Sequence, residues 1–232
     1  MEFSDVIRAR RSCRKYTSEP VPAAVIERAL DEALIAPNSS NMQLWKFYWV
    51  SSPEKKKALA EACLGQSAAT SAQELVVVVA DWSDWREHSR RMLEVLRANK
   101  ANAGALKYYE KLVPLMYTYG PLNLFGIIKY FLFNIMGLFK PVPRGPATRG
   151  DLTMVAVKSA ALACENLMLS IYNQGFACCP MEGFDEVRVN KVIGNKTCSS
   201  KVTMVISVGK ADPSGIWGAQ VRFPQSEFIK KI

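Results

Sequence analysis

The segment Leu75-Val-Val-Val-Val-Ala80 constrains this chain most, because it is apolar at every position and mostly β-branched. A strand with one wet face alternates apolar and polar residues, whereas an unbroken run needs cover on both faces. Such a strand belongs inside a sheet sandwiched by helices. The rest of the sequence supplies the other parts. Strand candidates are residues 45–50, 176–179 and 202–208. Helical spacing runs over 2–15 (with a basic end), 22–35, 54–64 and 185–193, and over a long small-residue helix at 151–174 that Gly175 stops. Pro37-Asn-Ser-Ser-Asn41 is a loop by composition. Helices and strands come in mixed order without repeats, so the expected class is α+β, one domain over residues 1–232.

Composition removes several kinds of chemistry. His88 is the lone histidine. Ser-His-Asp or Cys-His catalysis would have to run through it, and a multi-histidine zinc site is excluded. The six cysteines form no C-x-x-C pair, and the adjacent Cys178 and Cys179 are poorly placed to bridge each other. No apolar leader segment follows Met1. The expectation is therefore a cytoplasmic protein whose cysteines act as small buried hydrophobes.

Charge is concentrated in one segment. Residues 85–149 hold eleven Lys/Arg and three acids, so they carry +8 of the net +9. This asymmetry implies either a solvated helical face or an anionic partner. Within the segment, residues 121–140 have Lys129 as their only internal charge. On a helical wheel Leu124, Ile128, Phe131 and Ile135 share one half, while Gly126, Lys129, Asn134 and Gly137 share the other. The first expectation is a helix packed on the core or across a subunit interface. The second is an interfacial helix in peripheral contact with an anionic membrane. Nucleic acid is disfavoured, because the basic segment lacks interleaved sheet aromatics.

Three clusters carry candidate chemistry. Arg10-Arg-Ser-Cys-Arg14-Lys-Tyr16 gathers forked donors suited to phosphate oxygens. Asn38-Ser-Ser-Asn41-Met-Gln43 offers uncharged polar groups able to bond a heterocycle edge or a sugar-like chain. Pro180-Met-Glu-Gly-Phe184 follows a strand, with a glycine that lets backbone approach a flat ligand.

Taken together, in order and spacing, these clusters resemble the nitroreductase family of FMN-dependent NAD(P)H oxidoreductases. The resemblance covers residues 3–82 and 151–228. It rests on Arg10-Arg11-Ser12-x-Arg14, Ala36-Pro37-Asn38-Ser39-Ser40-Asn41-x-Gln43-x-Trp45, Pro180-Met181-Glu182-Gly183-Phe184-Asp185 and Arg222-Phe223-Pro224. It implies a three-layer fold with a mostly antiparallel sheet, an intertwined homodimer and a helical lid at about 85–149.

The resemblance also implies site residues. Arg10, Arg11, Ser12 and Arg14 would hold the FMN phosphate and pyrimidine edge. Pro37, Asn38, Ser39 and Asn41 would form the loop donated by the second subunit, supported by Gln43. Pro180, Met181, Glu182 and Gly183 would form the turn over the flavin. Gln66 would sit near the pyrimidine ring and Arg222 near the phosphate, with Gln220 in the place of a basic residue. Leu44 and Asn38 depart from the family's usual Pro and Ser. No metal is implied. The implied reaction passes a hydride from NAD(P)H through flavin N5 to a nitroaromatic, a quinone or a similar small-molecule acceptor. It needs no protein nucleophile. Reductive dehalogenation or flavin fragmentation, and a membrane-surface flavoprotein using residues 121–140, are the alternatives.

Overall fold

The structure is a computed structural model describing residues 2–232. Its centre is a four-stranded sheet of β1 (Trp45–Val50), β2 (Glu74–Asp81), β3 (Ala177–Met181) and β4 (Ser200–Gly209), ordered β1-β2-β4-β3 with every pairing antiparallel. The apolar run lies in β2, whose residues 75–80 are at most 1% exposed. Alternate side chains explain why. Val76, Val78 and Ala80 join one core with α2 (Ala23–Leu34) and α9 (Arg149–Asn173). Leu75, Val77 and Val79 join the other with α3 (Pro53–Ala62), α4 (Ser67–Thr70) and α10 (Glu186–Ile193). Three layers follow directly from a strand with two apolar faces.

The long helix α9 starts on a capping box, with Thr148 and Asp151 satisfying each other's backbone N–H groups. It is long and apolar enough to cross a membrane, but half of that window is buried here as a core helix. Pro180 sits in β3, the last strand in the sheet order, whose side away from β4 meets, among the described residues, only a single bridge to Ser12 at Cys178, so its missing N–H leaves no ladder bond unmade.

Three expectations need correction. The first helix, α1, spans only Phe3–Ala9. Residues 11–16 leave the helix, because Cys13 and Arg14 find their N–H partners outside it. Cys13 donates to the Cys178 carbonyl at 3.1 Å and Arg14 to the Gly215 carbonyl at 2.7 Å. Of the cysteines, Cys198 is exposed and the other five are buried. The third correction is the basic segment. It forms α5 (Trp85–Ala98), α6 (Ala103–Lys107), α7 (Val113–Tyr117) and α8 (Leu124–Met136), joined by a π-helical turn at Tyr108–Leu112. Yet α8 does not lay its apolar half on the core of its own chain. Its two buried residues are Gly126 and Lys129.

Candidate active site

The segment Arg10–Tyr16 runs beside β3. Ser12 makes a parallel bridge to Cys178, and Tyr16 bridges Ala211. This pairing lines up three guanidinium groups on five residues. Arg11 donates to the Trp217 and Gly218 carbonyls at 3.2 and 3.1 Å. The Arg14 guanidinium stands 4.7 Å from the Trp217 ring centroid, a cation–π distance. Arg10 faces Glu165 of α9 at 3.8 Å, and its buried Nε has no hydrogen-bond partner. Burial pushes the neighbouring Cys178 thiol up to about 12, with Arg10 opposing it, and raises Cys179 against the pull of Arg14, Ser12 and Arg10. These thiols are protonated and inert.

The turn after β3 closes on the same edge. Gln66, just before α4, donates through Nε2 to the Gly183 carbonyl at 2.6 Å and to the Cys63 carbonyl at 3.0 Å. A Cβ at Gly183 would meet that amide at 3.2 Å, so the glycine permits the close approach. Asp185 then caps α10, accepting from Val187 and Arg188. Met181 is buried and Glu182 exposed. Arg10, Ser12, Arg14, Gln66 and the 180–183 turn are thus gathered around β3.

The 37–43 loop is elsewhere. It leads into β1, the opposite edge of the sheet, with β2 and β4 between. At about 4.8 Å per strand the two edges are roughly 14 Å apart. The loop is tightly built. Asn38 Oδ1 accepts from the Gln43 backbone N–H at 2.8 Å, which gives this side chain a reach that Ser lacks. Gln43 therefore supports the loop through its backbone. Ser40, Asn41 and Gln43 all have positive φ, between 47° and 54°. Three tyrosines of the 85–149 segment pin the loop from outside. Tyr108 bonds the Ser40 hydroxyl at 2.7 Å, Tyr109 donates to the Ser40 carbonyl at 2.8 Å, and Tyr117 donates to the Ser39 hydroxyl at 3.3 Å. His88 Nδ1 lies 2.6 Å from the Met42 carbonyl.

The tail separates the last two candidates from the rest. Gln220 is exposed, and among the described residues Arg222 bonds only its neighbour's carbonyl, Val221 O, at 2.8 Å. Sequence reasoning missed Glu165, Trp217, Tyr108, Tyr109 and Tyr117. Trp217 had a visible signal as an aromatic five residues before Arg222; the tyrosines had none, because their partners are distant in sequence.

The β3 edge leaves one guanidinium donor unfilled. A buried guanidinium nitrogen without a partner is costly, and an acceptor atom on a ligand would complete it. Among the described residues no group of three His, Cys, Asp or Glu could hold a metal ion.

Comparison with known proteins decides the family. A sequence model described as "Nitroreductase family" matches residues 7–210. The chain belongs to the nitroreductase family. This nitroreductase-family chain is 28% identical over 194 residues to protein DrgA of Synechocystis, covering 83% of this chain and 77% of the relative. A local match to an NADH dehydrogenase of Thermus thermophilus is 39% identical over 79 residues, spanning 34% of this chain and 38% of that one. The fold is that of NADPH:FMN oxidoreductase from Vibrio harveyi complexed with NAD+, at a TM-score of 0.66 and 17% identity, covering 99% of this chain and 76% of that one. The expected three-layer nitroreductase fold is therefore the one this chain adopts.

Proposed function

We propose that this nitroreductase-family chain is an FMN-dependent oxidoreductase that takes hydride from NAD(P)H and delivers it to a flat, electron-poor acceptor such as a nitroaromatic or a quinone. The observation that supports the reading is the pair Arg10 and Arg14 beside β3, with the Arg10 Nε unsatisfied and Arg11 turned to the Trp217 and Gly218 carbonyls. Bound FMN would supply the redox chemistry at N5, as flavins do. The chain's own contribution is electrostatic and positional. Arg10 and Arg14 would neutralise negative charge on phosphate and pyrimidine edge, as preorganised donors. The turn at Gly183, held by Gln66, would let backbone approach the ring. No side chain here is needed as nucleophile or general base.

The working unit in this reading is a homodimer. Exposed apolar residues Phe3, Ile7, Ile35 and Leu162 surround the contact of α1, α2 and α9, and the tail from Trp217 onward exposes Val221, Phe223, Phe228 and Ile229. Two copies would cover both surfaces. A partner could then bring its 37–43 loop to this chain's β3 edge, as one chain alone does not. Arg222 and Gln220 would likewise act from the tail.

The test is stopped-flow mixing of purified yellow protein with NADPH and with NADH. Bleaching of flavin absorbance by either, and its return with a quinone or nitroaromatic, supports the reading. Protein without flavin, or flavin that neither nicotinamide bleaches, refutes it.

A further inference from the structure

Helix α8 is mounted inside out. Its polar half faces its own chain. Gly126 lies so close to the 147–148 backbone that a Cβ would stand 2.5 Å from the Ala147 carbonyl oxygen. Lys129 is 2% exposed and donates to the Leu115 and Met116 carbonyls at 2.8 and 2.9 Å. Arg144 donates to the Asn134 carboxamide oxygen at 2.6 Å and to the Gly137 carbonyl at 3.2 Å. The opposite stripe is Leu124, Ile128, Phe131, Ile135, Leu138 and Phe139, each between 49% and 84% exposed. Twelve large apolar side chains from Leu122 to Phe139 are at least 40% exposed. Even at about 80 Å² each they exceed the roughly 300–600 Å² of the largest patch on an ordinary monomer.

We propose that α8 is a membrane-surface anchor, lying in the headgroup boundary of an anionic bilayer. Charge decides the occupant. Residues 111–150 contain no Asp or Glu. The three acids of the basic segment, Glu87, Glu94 and Glu110, are each paired to an arginine of α5. Among the described residues, Lys107, Lys111, Lys140 and Arg144 have no carboxylate within salt-bridge distance. Lys107 and Lys111 flank Leu115, whose carbonyl holds Lys129, while Lys140 and Arg144 stand at the far end of the helix. A wide apolar stripe with cations beside its middle and at its C-terminal end is what an anionic interface takes up. A second copy would bring the same cations against these, and like charges would oppose that contact. The helix, 13 residues long, is about 20 Å in length, short of the roughly 30 Å hydrocarbon core, so it lies on the membrane and does not cross it.

This inference does not rest on the flavin reading, and its test reads binding, not turnover. The full chain is sedimented with vesicles of phosphatidylcholine containing about one-third phosphatidylglycerol, and with phosphatidylcholine alone. The wild type should pellet with the anionic vesicles at low salt. It should bind at least about tenfold more weakly to the neutral ones and at high salt. The double variant Phe131→Glu, Ile135→Glu should lose at least about tenfold in vesicle affinity, with unchanged circular dichroism and solution mass, since both side chains are more than half exposed. Wild type that stays in the supernatant, equal binding to neutral vesicles, or a variant that binds as well each overturns the proposal. So does a halved solution mass in the variant, which assigns the stripe to a second copy.

Discussion

Replacing Lys129 with methionine tests how α8 is held. The ammonium sits on two backbone carbonyls with no carboxylate beside it, and burial pushes its pKa down to about 8, with Asp151 opposing the shift. In the unfolded chain the same group titrates near 10.4. Below pH 8 both states hold the proton, and stability carries the full penalty. Between about 8 and 10.4 the unfolded chain binds more protons than the native one, so stability from this group rises with pH by up to about 1.4 kcal/mol per unit. The total gain is about 3 kcal/mol by pH 10.5. Methionine keeps the stem and removes the titration. Near pH 7 the relieved penalty is offset by the unpaired Leu115 and Met116 carbonyls, at about 1–3 kcal/mol each. The assay is urea unfolding of both proteins at several pH values from 7 to 10.5. Their difference cancels every other titrating group. It should climb by about 3 kcal/mol in favour of the wild type across that range. Parallel curves would refute a buried, charged Lys129.

Two further substitutions probe the frame. Leu167→Ala in α9, at a fully buried position, should cost about 2–5 kcal/mol and lower Tm by several degrees in a thermal melt, whereas a loss under about 1 kcal/mol would remove α9 from the core. Gly126→Ala drives a Cβ into the Ala147 carbonyl, so α8 should lift from its seat and trypsin should cut at Lys129 faster, a change that sodium dodecyl sulfate gels follow directly.

The sheet was legible because β2 carries its own instruction: an apolar side chain at every position leaves no face to give to water. The β3 turn and the 37–43 loop were legible as clusters of groups, while their placement at opposite sheet edges is a matter of strand order, which local sequence does not encode. The expected helix over 2–15 stops at Ala9 because the extension of residues 11–15 is stabilised by β3 and the 210–215 segment, far along the chain. For α8 the wheel divided the helix correctly but could not say which half faces inward. A buried lysine is ordinarily excluded, and only the carbonyls at the end of α7 make it tolerable here. The contacts of Tyr108, Tyr109 and Tyr117 were invisible for the same reason, since Ser39 and Ser40 are remote from them in sequence.

The central claim is that guanidinium groups along the amino-terminal strip grip a flavin mononucleotide, and equilibrium titration of FMN into flavin-stripped protein measures it most directly. Quenching of flavin fluorescence should saturate at one FMN per protomer, and Arg10→Ala should weaken binding by about 10- to 100-fold, the worth of a charge-assisted hydrogen bond. A chain that leaves FMN fluorescence unquenched, or an Arg10→Ala protein that binds as tightly as the wild type, would contradict it.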